Sequence, residues 1–361
     1  MRLFQNCGLY PSYRPRLRGL QRGSETFAQS LRVFLDDRFG ASHILLPVYE
    51  GAEEVFFTNA DDQLTQSLWA REHGMRSDAA AEDILLAQIE NHRTEVFYNS
   101  DPMRYGDDFL ARLPGSVKHT VAWRAAPSSG GRFLKHDMVL NNFPSLLEGY
   151  RAQGVRAEYF APSHDPAMNA YAANSERPID VLFIGTYSRH HRNRAALLEA
   201  IAALRDEMQV VMHLDRSRLT RLAETPFGWI GPLASHRRAP DIRAVSHSPV
   251  FGRDLLQAIG SAKIVINGAI DMAGGDRGNM RVWEALGCGA LMLSDEGRYP
   301  DGLISGEHFV TYASANDAVD KVRSLVREPA RAKAIADDGH ALISAKYSKK
   351  AQWDRFKELV R

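Results

Sequence analysis

Short apolar runs alternate with longer amphipathic stretches along the chain. The alternation is clearest in the second half, where residues 180–185, 263–267 and 290–294 read as buried strands. The stretches 194–208 and 279–286 carry apolar residues at helical spacing. Strand alternating with helix predicts parallel sheets covered by helices on both faces. We therefore expect an α/β fold.

The first half shows the same alternation with weaker signals. Its predicted strands are residues 1–6, 43–48, 95–98, 117–123 and 137–140. Helices are predicted over 25–39, 79–91 and 145–153. The residues that follow the first strand, up to residue 23, are rich in Gly, Pro and Arg and are predicted to form a loop. The chain is thus expected to contain two Rossmann-like, doubly wound domains that face a central cleft.

Two proline-bounded segments near the middle of the chain bracket a stretch without periodicity. They predict a linker over 166–178 between an N-terminal domain, 1–165, and a C-terminal domain, 179–345. A last helix over 346–361 could cross back to the N-terminal domain. A length of 361 residues suits two domains of ordinary size.

Composition excludes several classes of protein. Lys plus Arg number 45 and Asp plus Glu 44, so no overall basic charge predicts binding to nucleic acid. Cys7 and Cys288 are too few for a disulfide framework or a structural zinc site. No apolar run approaches a membrane span, and the N-terminus does not resemble a signal peptide. A cytoplasmic location is expected, with peripheral membrane contact left open.

The segment 263–295 carries the strongest chemical signal. A strand is followed by a loop with four glycines, Gly268, Gly274, Gly275 and Gly278, and then by a helix. Glycines allow close approach of a ligand to the backbone, and a helix N-terminus offers unpaired N–H groups. This order favours binding of phosphate.

Helical geometry places Arg281 and Glu284 on one face of that helix, while Val282, Trp283 and Leu286 lie on an apolar face. The arginine suits a diphosphate and the carboxylate suits ribose hydroxyls. The alternative is a solvated Arg–Glu pair without a ligand.

The run Arg281-Val-Trp-Glu-Ala-Leu-Gly-Cys-Gly-Ala290 resembles the nucleotide-sugar signature of GT-B fold glycosyltransferases. It is similar to the "glycosyl transferases group 1" enzymes and, among them, to the spore-maturation-protein-like branch. The segment from Phe183 through Gly185 to Arg194 resembles a strand–Gly–Arg element of that branch. The resemblance covers about half of the chain, residues 180–347.

The resemblance implies a donor site in the C-terminal domain, with Glu284 on the ribose of a nucleoside-diphosphate sugar. Asp276 and Glu284 are separated by seven residues, like the acidic pair of related retaining enzymes, although Asp replaces the usual Glu. Asp276 and Arg281 are therefore candidate catalytic residues. The further donor-binding candidates are Gly275, Arg277, Gly278, Asn279, Gly185, Thr186, Tyr187, Arg189, Arg194, Trp229 and Ile230.

Acceptor contacts are expected at strand ends of the first half. The candidates are Gly8, Tyr10, Asp101, Trp123 and Arg124. Asp101 is the candidate catalytic base or orienting group, and its alternative role is to cap a helix that begins at the next residue, a proline. Aromatic and arginine side chains in residues 10–19 suit a sugar or an anionic acceptor, or else form a mobile surface loop.

The implied activity is transfer of a sugar to a hydroxyl of a saccharide, lipid-linked, protein or small-molecule acceptor. Neither a D-x-D pair nor an H-E-x-x-H motif is present, so a reaction without metal or cofactor is expected. The resemblance suggests retention of anomeric configuration. Two alternatives stay open: a nucleotide-sugar epimerase or hydrolase on the same fold, and a non-catalytic protein that binds nucleotide or carbohydrate.

Overall fold

The computed structural model describes residues 1–76, 78–127, 131, 133–187, 192–229, 233, 236–268 and 273–361, with the backbone alone for 192, 227 and 229. The chain divides into two compact units. The first contains residues 1–163, 273–276 and 349–361. The second contains the described residues of 164–268 together with 277–348.

The first unit is built on a parallel sheet. Its described strands are β1 (Leu3–Asn6), β2 (Val55–Thr58), β3 (Val96–Asn99), β4 (His119–Trp123), β5 (Met138–Asn141) and β6 (Ala157–Tyr159). They lie in the order β2-β1-β3-β4-β5-β6, and every pair is parallel. The carboxyl ends of all of them therefore lie along one edge, the edge where doubly wound folds bind ligands.

Helices connect these strands. They are α1 (Arg14–Leu20), α2 (Phe27–Asp37), α3 (Leu46–Glu50), α4 (Gln63–Glu72), α5 (Ala81–Asn91), α6 (Asp107–Leu110) and α7 (Pro144–Arg151). Alternate residues of β1 point to opposite faces of the sheet. Leu3 packs in a core with Tyr98 and Val121, whereas Phe4 packs in another with Leu85 and Phe97.

The strand predicted at 43–48 is wrong. Ala41–His43 is a 3-10 turn and Leu46–Glu50 is α3, with Pro47 in its first turn. Proline has no backbone N–H, which a strand ladder would need. The first turn of a helix leaves its N–H groups without a partner in the helix, so proline is well suited there. The second strand of the sheet lies further along the chain, at Val55–Thr58.

The predicted loop before residue 24 also contains a helix. Arg14–Leu20 is α1, with Pro15 in its first turn and Leu17 buried. Arg16 forms hydrogen bonds with both carboxylate oxygens of Asp37. Residues 14–20 therefore form a helix and not the surface loop considered as an alternative.

The second unit repeats the architecture. Its described strands are β7 (Ile179–Thr186), β8 (Val210–Asp215), β9 (Ser246–His247), β10 (Ala262–Ile266), β11 (Leu291–Asp295) and β12 (Val310–Tyr312). Their order is β12-β11-β10-β7-β8-β9 and their pairings are parallel.

The remaining described helices follow in chain order. They are α8 (Met168–Ala172), α9 (Arg192–Ala202), α10 (Arg218–Ala223), α11 (Pro240–Ala244), α12 (Gly252–Gly260), α13 (Met280–Gly287), α14 (Ala315–Arg327), α15 (Pro329–Lys346) and α16 (Lys349–Leu359). Two further 3-10 turns lie at Ala203–Asp206 and Pro226–Trp229. Two parallel α/β sheets confirm the predicted fold class.

The unit boundaries differ from the predicted domain boundaries. The predicted linker, 166–178, belongs to the second unit and contains α8. Met168 of α8 is buried, so this stretch adds to the packing of its unit. At the other end of the chain, residues 346–348 stay in the second unit and α16 belongs to the first.

A buried lysine anchors α16 in the first unit. Lys349 is 4% exposed. Its Nζ donates to the carbonyl oxygens of Ala41 and Ile44, at 2.7 and 2.8 Å, and to Ser163 Oγ at 3.2 Å. A buried ammonium is tolerated only where its protons find such acceptors.

Replacing Lys349 with methionine should lower the free energy of unfolding by about 1–3 kcal/mol, because the buried acceptors lose their donor. Urea denaturation of the full chain, followed by tryptophan fluorescence, measures the change. The matched control is Lys350→Met, since Lys350 is 78% exposed and pairs with Asp354 one turn away. An equal effect of both substitutions would contradict the structural role of Lys349.

Candidate active site

The connection between β10 and α13 is held by a pair of amides. Asn267, just after β10, donates to Asn279 Oδ1 at 3.1 Å, and Asn279 donates back to Asn267 Oδ1 at 2.8 Å. Asn267 also donates to Ser294 Oγ at 3.0 Å. Asn279 is the N-cap residue of α13, but its side chain does not cap that helix. The amide pair therefore fixes the start of α13 at the carboxyl edge of the sheet.

Arg281 and Glu284 form an ion pair on α13. Arg281 Nη1 donates to Glu284 Oε2 at 2.6 Å, and the two side chains are 13% and 15% exposed. Burial raises the pKa of Glu284, and the charge of Arg281 opposes that shift. The pair is thus largely withdrawn from water, unlike the solvated pair considered as an alternative.

The opposite face of α13 is buried as predicted. Val282, Trp283 and Leu286 are each 0% exposed. The indole of Trp283 donates to the carbonyl oxygen of Gly278 at 3.2 Å and packs edge-on against the ring of Tyr347. The apolar face therefore fixes the rotation of α13 and the direction of its polar face.

Arg194 of α9 lies beside this polar face. Its Nη2 donates to the carbonyl oxygen of Gly268 at 3.0 Å, and its guanidinium lies over the ring of Phe183. Burial lowers the pKa of Arg194, and the nearby charge of Arg281 adds to that shift. A side chain at Gly185 would approach the ring of Phe183 to 3.0 Å, so glycine leaves this strand end open.

The guanidiniums of Arg194 and Arg281 are incompletely paired. Arg281 Nη2 reaches the carbonyl oxygen of Ile184 at 3.4 Å, at the end of β7. Within the described part of the chain, the buried Nε atoms of both arginines have no hydrogen-bond partner. Two incompletely paired guanidiniums place positive charge at this strand end, and that charge favours an anion.

Other predicted donor residues have structural partners. Arg277 Nε donates to Asp295 Oδ2 at 2.6 Å, and the backbone N–H of Arg277 donates to the carbonyl oxygen of Arg298. Tyr187 hydrogen-bonds Glu199 through its hydroxyl. Thr186 and Gly275 are exposed. The donor-binding roles of these residues stay predictions.

Asp276 lies in the first unit, at the start of α7. Its Oδ2 accepts hydrogen bonds from Ser145 N at 2.8 Å and Ser145 Oγ at 2.7 Å. Asp276 is 4% exposed. In this structure the carboxylate caps the first turn of α7, an arrangement that a seven-residue spacing to Glu284 does not predict. Its catalytic role stays a prediction.

Three predicted donor contacts are not tested by the geometry. Arg189 and Ile230 lie outside the described residues. Trp229 ends the 3-10 turn Pro226–Trp229, and its side chain lies outside the described part of the structure.

Buried asparagines organise the carboxyl edge of the first sheet. Asn6 ends β1 and donates to Asn99 Oδ1 at 3.2 Å, and Asn99 ends β3. Asn6 Oδ1 accepts from Ala60 N at 3.1 Å, and Asn99 Oδ1 accepts from Asp101 N at 3.0 Å. The loops that follow β1, β2 and β3 are therefore held together by side-chain amides.

Two of the predicted acceptor residues touch each other at this edge. A side chain at Gly8 would lie 3.1 Å from Asp101 Oδ2, so Gly8 leaves room for the carboxylate. Burial raises the pKa of Asp101, and the nearby Asp61 raises it further. Asp61 was missed because β2 was predicted in the wrong place, which hid the strand end that Asp61 follows.

The other predicted acceptor residues differ in exposure. Tyr10 is 64% exposed and meets the ring of Phe39 edge-on. Trp123 is 8% exposed, with its ring 4.6 Å from that of His43. Burial lowers the pKa of His43 to about 4, so the imidazole is neutral at pH 7. Arg124 Nε is buried and, among described residues, has no partner.

Two other features are absent from the described residues. No group of three or more His, Cys, Asp or Glu side chains there is placed to hold a metal ion. No helix built from those residues has the length and apolar character required to cross a bilayer. Cys7 and Cys288 are free and buried.

One family model matches much of the second half of the chain. Residues 189–358 match a family model described as "Glycosyl transferase-like". A comparison with curated proteins gave no match.

Three solved structures share the fold. Anabaena Alr3699/HepE in complex with UDP-glucose is 12% identical, with a TM-score of 0.58 over 99% of this chain and 98% of that one. Sucrose-phosphate synthase from Thermosynechococcus elongatus is 14% identical, with a TM-score of 0.51 over 78% and 76%. A TarM variant from S. aureus, in complex with Fondaparinux, alpha-GlcNAc-glycerol and UDP, is 11% identical, with a TM-score of 0.55 over 78% and 59%.

These structural matches confirm the predicted fold. Residues 189–358 are similar to the "Glycosyl transferase-like" family, and the chain has the two-sheet α/β fold of the solved structures named above, the GT-B fold.

Proposed function

We propose that the chain transfers a sugar from a nucleoside-diphosphate sugar to a hydroxyl group of an acceptor. The glycosyl transferase-like domain and the UDP-glucose and UDP named for HepE and TarM support this proposal. The observation that carries it is the group formed by Arg194, Arg281 and Glu284 at the carboxyl edge of the second sheet.

The two arginines suit the diphosphate. Their guanidiniums are largely buried beside the start of α13. The positive charges of the two guanidiniums would stabilise the diphosphate. Backbone N–H groups in the first turn of α13 would add favourable charge, as helix N-termini do for phosphates.

Glu284 suits the ribose. One of its carboxylate oxygens, Oε2, accepts the bond from Arg281. The other, Oε1, makes no hydrogen bond with a described residue and would accept hydrogen bonds from two ribose hydroxyls. Arg281 therefore holds the acid in position while it also faces the anionic part of the donor.

Transfer would proceed with the departing diphosphate stabilised by these arginines. The acceptor oxygen attacks the anomeric carbon, the bond from that carbon to the diphosphate oxygen breaks, and the acceptor proton passes to the leaving group. We propose that the reaction needs no metal and no cofactor and retains the anomeric configuration. The proposed catalytic residues remain Arg281, Asp276 and Asp101.

Release of nucleoside diphosphate should continue in excess EDTA, because protein cations take the role of a metal in this proposal. The measurement is nucleoside diphosphate produced from UDP-, GDP-, ADP- and dTDP-sugars, with and without acceptor glycosides. NMR of the transfer product should show the donor's anomeric configuration. Activity that EDTA abolishes and Mn²⁺ restores would reject the metal-free reaction, and an inverted product would reject retention.

Three finer assignments remain proposals from the sequence. They are membership of the spore-maturation-protein-like branch, a cytoplasmic location with possible peripheral membrane contact, and an acceptor that is a saccharide, lipid-linked, protein or small-molecule hydroxyl compound.

A further inference from the structure

The polar groups of Asn267 all have partners at the end of the second sheet. Its backbone N–H donates to the carbonyl oxygen of Leu293 at 2.9 Å, and its carbonyl oxygen accepts from the hydroxyl of Tyr312 at 3.0 Å. Its side-chain nitrogen donates to Asn279 and Ser294, and its side-chain oxygen accepts from Asn279. Asn267 is 2% exposed. A buried amide whose donors and acceptors are all engaged is held in one orientation, so Asn267 is a fixed partner for Asn279.

Asn279 has the backbone of a helix cap but not the hydrogen bond of one. It is the N-cap residue of α13, with a φ of −63° and a ψ of 161°, in the extended region that capping residues adopt. Asparagine is a preferred capping residue, and its side-chain oxygen would accept from the N–H of Arg281 or Val282. That oxygen accepts instead from Asn267 at 3.1 Å. The amide pair therefore takes the place of a side-chain cap.

Two other helices of the second unit carry the cap that α13 lacks. The hydroxyl oxygen of Ser217 accepts from the N–H of Thr220 at 3.0 Å at the start of α10. The hydroxyl oxygen of Ser314 accepts from the N–H of Asp317 at 3.1 Å at the start of α14. In both helices the cap occupies a backbone N–H that would otherwise lack a partner within the helix.

The start of α13 keeps such groups available. The N–H of Val282 donates to the backbone carbonyl oxygen of Asn279 at 3.0 Å. The N–H groups of Met280 and Arg281 make no hydrogen bond with a described residue. The guanidiniums of Arg194 and Arg281 place positive charge beside the same helix. A capping side chain at this position would compete with an anion for the first N–H groups of α13.

We propose that Asn267 is a positioning residue for donor binding. It holds the side-chain amide of Asn279 away from α13, so that the first N–H groups of the helix stay available to the diphosphate. The role rests on the proposed sugar transfer, because the nucleoside-diphosphate donor comes from that proposal.

Asn267→Ala frees the amide of Asn279 to cap α13 and should weaken nucleoside diphosphate binding about fivefold, the equivalent of a typical cap. Calorimetry of the full chain with UDP, GDP, ADP and dTDP measures this loss. The matching nucleoside has no phosphate, so its affinity, measured by saturation-transfer NMR, should change less than twofold. An equal loss for the nucleoside and the diphosphate would overturn the proposal, since it would show general damage to the site.

A second substitution separates release of the cap from damage to the fold. Alanine cannot cap a helix through its side chain, so Asn279→Ala alone should keep nucleoside diphosphate affinity within twofold of the unaltered chain. The double variant Asn267→Ala, Asn279→Ala should regain the affinity that Asn267→Ala loses. If the pair served only to fix the start of α13, Asn279→Ala would weaken binding as much as Asn267→Ala and would restore nothing. That result would contradict the proposal.

Two further variants control for folding and stability. Asn267→Ser leaves a smaller cavity than alanine and is too short to hold Asn279, so it should show the same loss and the same rescue if Asn267→Ala does not fold. Ser314→Ala removes the cap of α14 and should lower the Tm while nucleoside diphosphate affinity stays within twofold. A fall in affinity for Ser314→Ala as large as that for Asn267→Ala would attribute the loss to stability and reject the positioning role.

The unaltered chain distinguishes this proposal from the proposed function. If it binds none of the four nucleoside diphosphates, the proposed function is rejected and the role of Asn267 with it. If it binds one of them and Asn267→Ala binds equally well, the proposed function stands and only the role of Asn267 is rejected.

Discussion

Replacing Glu284 with alanine should weaken nucleoside diphosphate binding roughly 100-fold. Two hydrogen bonds from ribose hydroxyls to a carboxylate, at about 1.5 kcal/mol each, correspond to a change of that size. The substitution also leaves Arg281, 13% exposed, without its partner. Calorimetry with UDP, GDP, ADP and dTDP measures the effect, and circular dichroism checks that the variant is folded.

The chain contains a matched control for this substitution. Arg355 and Glu358 have the same order and spacing on α16, but their side chains are 46% and 61% exposed. Glu358→Ala should leave both stability and nucleotide affinity almost unchanged, since exposed pairs contribute little. Unchanged affinity in Glu284→Ala would exclude a role for Glu284 at the ribose.

The pH dependence of nucleotide binding should reflect the same carboxyl group. Burial raises the pKa of Glu284, so protonation begins at a higher pH than for an ordinary glutamate. As the pH falls through that pKa, the acid loses both its charge and an acceptor, and affinity should decrease. Glu284→Gln should remove this acidic step from the affinity profile.

Replacing Trp283 with alanine should destabilise the second unit by about 3–5 kcal/mol, the usual cost of deleting a buried tryptophan. Trp283 is 0% exposed, and its ring packs against Tyr347. Because the indole also fixes the orientation of α13, nucleotide affinity should fall with stability. Calorimetric melting measures the first effect, and a fall in Tm of roughly 10 °C is expected for a unit of this size.

Two variants provide the controls. Trp353→Ala removes a half-buried tryptophan of α16 that packs against Phe356, and it should cost less than Trp283→Ala. Trp283→Phe keeps most of the buried ring but loses the hydrogen bond to Gly278, so it should cost an intermediate amount. A Trp283→Ala variant that melts like the unaltered chain would show that α13 does not depend on this contact.

Strong local patterns predicted the second unit well. The runs ending at Gly185 and Asn267 lie in β7 and at the end of β10, and the predicted helix of 279–286 is Met280–Gly287. These segments are either buried on both faces or amphipathic. The spacing of their apolar residues therefore predicts their secondary structure. Strands of two or three residues, such as Ser246–His247, carry too few positions to show a period.

The first unit was predicted less completely because tertiary contacts decide its elements. The apolar run at 43–48 resembles a strand, but Pro47 favours a helix start there. Because of that error, the second strand was predicted too early in the chain. Asp61 was therefore not recognised as a residue that follows a strand. The site contacts depend still more on packing: Ser145 lies 131 residues from Asp276, and no local pattern relates the two.

The sequence by itself determined two α/β layers and the face of α13 that presents Arg281 and Glu284, because helical period and apolar burial are local properties of the chain. Only the tertiary structure decided the long-range partners of the charged groups and the burial of the Arg281–Glu284 pair. Arg194 meets Gly268, Arg281 meets Glu284 away from water, and Asp61 holds Arg14 and Arg104. Such pairings depend on distance and burial in space, which residue order does not specify.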